Sequence, residues 1–249
     1  MPTPVPASPA PARAGLRVSV QGVVQGVGLR PWIAREARAL GIAGRVWNDP
    51  TGAVCEAFGH RDALRELARR IRSLAGATPV RLAEECLPWE PCAEFAIAAS
   101  RARADGAAGI PLAPDLAACA ECLGEVRDPR DRRHAYPFAA CARCGPRFTV
   151  ATALPYARER TPLAAFPLCP ACRAEYDDPE DRRFHAQAIA CPACGPQLEA
   201  RAPDGAVRAR REEALAAAVA ALRAGGIVAL QGVGGFHLSC DATREASVR

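Results

Sequence analysis

The chain has 249 residues, half of them apolar and 5% aromatic, with a formal net charge of +5; this suffices for one large domain or two to three small ones, with cores built mostly from Ala, Val and Leu. No apolar run approaches the ~20 residues that span a bilayer, and the opening MPTPVPASPAPARA lacks the basic and apolar blocks of a secretion signal, which excludes a membrane partner and points to the cytoplasm. The 12 cysteines are then thiols or metal ligands and not a disulfide framework. The chain has no lysine, which with the abundant Ala and Pro reflects coding bias, so no single arginine is read as chosen over lysine.

Residues 1–14 are Pro/Ala-rich and are expected to form a disordered tail. Leu16 to Gln21 alternates as a strand, and QGVVQGVGLRP follows as a glycine-rich loop. Pro31 to Leu40 reads as a helix closed by Gly41. Ile42–Trp47 and Ala53–Phe58 read as a hairpin around an Asn48–Gly52 turn. Leu64, Leu67, Ile71 and Leu74 recur at helical spacing between His60 and Leu74, and Val80–Cys86 and Phe95–Ala99 are short strands. The order βαββαβ over residues 15–100 predicts an α+β, ferredoxin-like domain. Residues 101–114 are a linker by composition. A helix is expected from Arg210 to Ala224, with Leu215, Val219 and Leu222 on one side and Gly225-Gly226 as its stop, then a buried-type strand over Ile227–Leu230.

Residues 115–200 contain a tandem repeat with a shift of 50. Cys119, Cys122, Cys141 and Cys144 recur as Cys169, Cys172, Cys191 and Cys194, each set spaced C-x2-C-x18-C-x2-C. Asp131-Arg132-Arg133 recurs as Asp181-Arg182-Arg183. Two cysteines separated by two residues wrap one ion from a tight turn, and two such turns close a four-sulfur site. Four thiolates with no open position argue for two structural zinc ions. Iron in the same geometry and redox Cys-x2-Cys pairs are the alternatives, but redox pairs do not come four times in register. His134 and His185 fall out of register and are read as ordinary residues. Eleven Arg stand against 12 Asp plus Glu between residues 115 and 200, so no basic face for nucleic acid is expected.

The glycine loop suits an anion. Successive N–H groups in such a turn form a nest, the following helix adds its positive end, and the fork of Arg30 suits a phosphoryl group. Gly22, Gly26 and Gly28 fit neither the dinucleotide nor the Walker A spacing, and a tight turn with a surface arginine is the bland alternative.

GVVQGVGLRPWIAREARALGIAGRVWNDPTGAV resembles the acylphosphatase signature, with Leu29 where phenylalanine is usual. The resemblance implies that Arg30 and the backbone amides of Val23, Val24, Gln25, Gly26, Val27, Gly28 and Leu29 hold a phosphate, while Asn48 orients the attacking water. With the two cysteine units and GGIVALQGVGGFHLSCDAT, the chain resembles the N-terminal third of the HypF carbamoyltransferase family of nickel-iron hydrogenase maturation. That implies hydrolysis of carbamoyl phosphate here, then carbamoyl adenylate formation from ATP and transfer to the C-terminal cysteine of a HypE-like partner by later domains. Residues 205–249 resemble only the start of a YrdC-like domain, and Gln231 replaces a usual lysine. The chain is therefore expected to be a fragment competent for the first step alone, to bind no ATP, and to expose apolar surface after Arg210. Cys55 is read as a small buried residue; Cys86, Cys92, Cys240, His60 and His237 have no partner constellation. The competing reading is a catalytically inactive, zinc-stabilised interaction module.

Overall fold

A computed structural model describes residues 12–75, 81–101 and 112–248. The chain divides into two compact units: residues 1–113 with 154–156, and residues 114–153 with 157–249.

The first unit is built on β1 (Arg13–Gln21), α1 (Leu29–Ala39), β2 (Ala43–Asp49), β3 (Gly52–His60), α2 (Arg61–Ala75), β4 (Arg81–Leu87) and β5 (Phe95–Ile97). The strands form one sheet in the order β4-β1-β3-β2-β5. β1 runs antiparallel to β3 and β4, β2 and β3 form the expected hairpin, and β5 lies parallel to β2. This is the α+β arrangement that the βαββαβ order requires. Alternation in β1 buries Val18 and Val20. Helical spacing buries Ile33, Ala34 and Ala37 of α1, and Leu64, Leu67, Ala68 and Ile71 of α2. β3 is buried from Gly52 to Gly59, as the central strand must be.

That burial includes a charge. The Glu56 carboxylate is buried and receives Arg17 Nη2 at 2.7 Å and Arg45 Nε at 2.7 Å. Burial alone would raise its pKa, but the two guanidiniums outweigh that and hold it below the ordinary carboxylate range. The backbones of β2 and β3 come very close here. Gly44 sits at φ 139°, and a Cβ there would lie 2.1 Å from the Glu56 carbonyl oxygen. Gly44→Ala is expected to cost roughly 1–3 kcal/mol, read as a lower urea midpoint.

Two expectations fail at the edges of this unit. β1 starts at Arg13, opposite His60, so Arg13 and Ala14 belong to the sheet and not to a tail. Leu112 and Ala113, assigned to a linker, are buried; Leu112 pairs with Gln25, and Ala113 N donates to Gln25 O at 3.1 Å. Residues 1–11, Val80 and 102–111 lie outside the described residues.

The second unit carries α3 (Ala120–Arg127), α4 (Pro170–Asp177), β6 (Glu199–Arg201), β7 (Val207–Arg210), α5 (Arg211–Arg223), β8 (Val228–Gln231), β9 (Phe236–Ser239) and α6 (Glu245–Val248). Here the apolar surface expected after Arg210 is exposed, although Ile227–Leu230 has the composition of a buried-type strand. Among the described residues β8 pairs only with β9, and Leu230, Phe236 and Leu238 are 51%, 68% and 77% exposed. Likewise α5 buries Ala214, while Leu215 and Leu222 are half-buried and Val219 is exposed. An apolar run predicts burial only where another element covers it. No helix among the described residues is long and apolar enough to cross a membrane.

Candidate functional site

The chain must turn from β1 into α1 within seven residues. Gly22, Gly26 and Gly28 take φ of 129°, 77° and 78°, a region that strains any residue with a Cβ. The three glycines therefore let the loop reverse while keeping its backbone bare. Gly28 is the N-cap of α1 and accepts Trp32 N at 3.0 Å. No side chain caps this end and no acidic residue stands in its first turn, so the helix keeps its positive N-terminal end for an outside anion. One expected cradle donor is corrected: Val24 N donates to Gly22 O at 2.8 Å, inside the loop. Val23 and Val27 are exposed, and Leu29 is buried where the usual phenylalanine would sit.

Arg30 is the second residue of α1 and half-buried; its Nη1 reaches Ser100 Oγ at 3.4 Å. Asn48 is not in the turn, as expected, but on β2 opposite Ala53, and it is buried. Its main-chain oxygen accepts Arg101 N at 2.9 Å. Arg30 and Asn48 thus meet consecutive residues of the segment after β5. The hairpin turn is fixed by Asp49, whose Oδ1 accepts Thr51 N at 2.8 Å and Gly52 N at 2.9 Å. Gln25 ties the loop to that turn, its Nε2 donating to Asp49 O at 2.6 Å and Gly52 O at 2.9 Å.

The segment Leu154–Tyr156 belongs to this unit although it lies between the cysteine repeats in sequence. Tyr156 N donates to Gln25 Oε1 at 2.7 Å, and Asn48 Nδ2 donates to Tyr156 O at 3.3 Å, both buried. The loop, the hairpin and Tyr156 are therefore joined around Asn48. Cys55, on β3, is buried, and burial pushes its thiol up to about 12, which removes it as a nucleophile.

The eight repeat cysteines gather into two clusters, Cys119, Cys122, Cys141 and Cys144, and Cys169, Cys172, Cys191 and Cys194, with ligand atoms within 4.8 Å of one another in each. Sulfur separations are 3.8, 3.7 and 3.6 Å along Cys119–Cys141–Cys144–Cys122, and 3.7 Å for Cys169–Cys191 and Cys191–Cys194. A disulfide needs about 2.05 Å. A tetrahedral zinc with ~2.3 Å bonds needs sulfurs about 3.8 Å apart. The donor set and its spacing fit zinc. Each cluster joins the start of one short helix, capped by Cys119 or Cys169, to a Cys-x2-Cys turn.

The recurring Asp-Arg-Arg triplets cross over between the clusters. Arg182 Nη1 donates to Cys122 Sγ at 3.0 Å, and Arg132 Nη2 donates to Cys172 Sγ at 3.3 Å. Arg183 pairs with Glu125 and its Nε reaches Ala140 O at 3.1 Å; Arg133 pairs with Glu175 and its Nε reaches Ala190 O at 3.0 Å. Every one of these contacts repeats with the shift of 50. Burial would raise the Glu175 carboxyl, but Arg133 and Arg132 pull it down to about 2. Two guanidiniums share one glutamate beside each sulfur cluster, and together they partly offset the net negative charge that four thiolates would leave on a divalent ion.

Comparisons with known proteins follow this division. The acylphosphatase family model matches residues 16–85, and the HypF finger model matches residues 118–151 and 168–200. The carbamoyltransferase HypF2 of Cupriavidus necator is 49% identical over 238 residues, 93% of this chain and 29% of that protein. A HypF carbamoyltransferase of Synechocystis is 49% identical over 91% of this chain and 29% of its own length. The chain belongs to the HypF family. A crystal structure of full-length HypF in a phosphate- and nucleotide-bound form superposes with a TM-score of 0.82 at 32% identity, covering 97% of this chain and 31% of that one. An acylphosphatase of Nitrobacter hamburgensis is 41% identical over 28% of this chain and 71% of its own length. The chain thus spans less than a third of the HypF relatives it matches.

Sequence spacing reveals all eight clustered cysteines and the glycine loop. It did not find the Gln25 side chain, Ser100 or Tyr156, which act across long stretches of sequence. The crossed arginines had a visible signal, their recurrence in both repeats, but recurrence does not say which repeat a side chain serves.

Proposed function

We propose that this chain performs acyl-phosphate hydrolysis, with carbamoyl phosphate as substrate, as the first step of HypF-type carbamoyl transfer. The reading is carried by one observation: a loop with three positive-φ glycines opens an uncapped helix beside Arg30, within a match to the acylphosphatase family. The loop amides and Arg30 hold the phosphoryl group, and Asn48 holds a water. The water oxygen bonds to phosphorus as the bridging P–O bond breaks. Carbamate leaves with the electron pair, and the water's proton passes to solvent. Carbamate is a good leaving group, so charge stabilisation and positioning suffice without a protein base.

The eight clustered cysteines hold two structural zinc ions, which organise the fold and take no part in hydrolysis. Residues 205–249 supply the start of a YrdC-like domain, and carbamoyl transfer to a HypE-like partner belongs to the longer proteins. ATP is not assigned to the residues of this chain. Eight cysteines committed to two four-sulfur clusters, and not to a disulfide framework, suit the cytoplasm.

The test is phosphate release from carbamoyl phosphate by the purified chain. Release is expected, and Asn48→Ala is expected to lower kcat by about a hundredfold with inhibition by inorganic phosphate retained. A wild-type chain that releases no phosphate would favour the inactive docking module instead.

A further inference from the structure

The acyl-phosphate site contains a contact that no motif accounts for. Asn48 gives its amide nitrogen to the Tyr156 carbonyl, 108 residues away in sequence. With its nitrogen held on that carbonyl, the amide turns its oxygen to the other side, where it accepts from a water. A water that donates a proton to that oxygen keeps a lone pair for attack. The opposite orientation would bind the water by its lone pair and make it a poorer nucleophile. The Tyr156 carbonyl therefore selects the productive orientation of Asn48.

That carbonyl needs a support of its own. The Tyr156 peptide nitrogen donates to Gln25 Oε1 at 2.7 Å, in a buried setting. The same Gln25 amide donates from its other end to Asp49 O and Gly52 O, at 2.6 and 2.9 Å. Gln25 itself is 1% exposed. A buried side chain whose three contacts all go to main-chain groups has one arrangement open to it. It fixes Tyr156 relative to the hairpin that carries Asn48.

We infer that the Gln25 side chain is a positioning residue for Asn48, acting through the Tyr156 main chain. This rests on the acyl-phosphate reading above. It makes Leu154–Tyr156 a working part of the hydrolytic unit, although that segment lies outside the 16–85 match.

The experiment is a double-mutant cycle on the full chain, read as phosphate release from carbamoyl phosphate. Gln25→Glu keeps an acceptor for Tyr156 N but loses both donated bonds. Gln25→Ala removes all three. Either is expected to lower kcat by about tenfold in the wild-type background and less than twofold in Asn48→Ala, because the positioned group is then gone. Equal losses in both backgrounds, or no loss in the first, overturn the inference. A rise in kcat overturns it too, because Tyr156 would then obstruct Asn48. An inactive wild-type chain overturns the acyl-phosphate reading itself. The Asn48 side-chain amide supplies a readout independent of turnover. Its NH2 protons are expected to exchange slowly in the wild-type chain and at least tenfold faster in Gln25→Ala. Unchanged exchange in a folded variant counts against the link, and Gln25→Glu serves if Gln25→Ala does not fold.

Discussion

Arg30→Ala is expected to reduce phosphate release from carbamoyl phosphate by at least about a hundredfold, with the fold intact. Removing one preorganised group that meets developing charge costs about 10²–10³ in kcat. A guanidinium that binds substrate and transition state alike would appear in KM as well. The fold should tolerate the change. Arg30 is half-buried on the first turn of α1, and the core of that helix is Ile33, Ala34 and Ala37. Alanine is the best helix former, so α1 gains slightly in propensity. Arg30→Lys separates two roles. A lysine restores charge without the planar fork, so a partial recovery of less than tenfold identifies two-point binding as the arginine's contribution. Full activity in Arg30→Ala would remove the residue from the chemistry and leave the loop amides alone with the phosphate. The check is a steady-state assay of free phosphate, with circular dichroism on each variant.

What the sequence disclosed follows from what is local. β1, α1, β2, β3 and α2 were legible to within three residues at each end, because alternation and 3.6-residue spacing are written in neighbouring positions. The glycine loop was legible because Gly22, Gly26 and Gly28 are each required by a positive φ. The cysteine clusters were legible because a tetrahedron of thiolates constrains sequence spacing directly. Asn48 was placed in a turn, yet pairing with Ala53 carries β2 through Asp49. Tyr156 was invisible because nothing near it in sequence shows that its peptide group serves Gln25, 131 residues earlier. The exposed β8–β9 hairpin was legible from the resemblance, which led to exposed apolar surface after Arg210, and not from its local composition. Ile227–Leu230 has the composition of a buried strand, but burial depends on a covering element, and composition does not reveal whether one is present.

The same distinction governs the second large effect, expected at the zinc clusters. Cys122→Ser is expected to abolish both metal sites, not one. Structural zinc contributes about 10–16 kcal/mol of apparent binding free energy, comparable to or larger than the ~5–15 kcal/mol stability of a whole domain. Loss of one ligand therefore suffices to unfold a unit that depends on the ion. The crossed contacts carry that loss to the other repeat. Arg182 donates to Cys122 and pairs with Glu125, and Arg132 does the same at Cys172 and Glu175. The cores cross as well: Ala188 packs among Cys122, Cys141 and Cys144, and Ala142 packs against Cys172, Ile189 and Cys191. If the first cluster opens, Arg182 and Arg183 lose their partners, and the Asp181 turn that follows α4 loses its anchor. Chelator titration with a zinc-sensitive dye should then show both equivalents leaving the wild-type chain in one cooperative step. Cys122→Ser should bind neither. Arg182→Ala, which removes the crossed donor but no ligand, should keep both ions and release them at lower chelator concentration. A Cys122→Ser chain that retains one tightly bound zinc would show that the repeats fold independently, with their crossed arginines adding little.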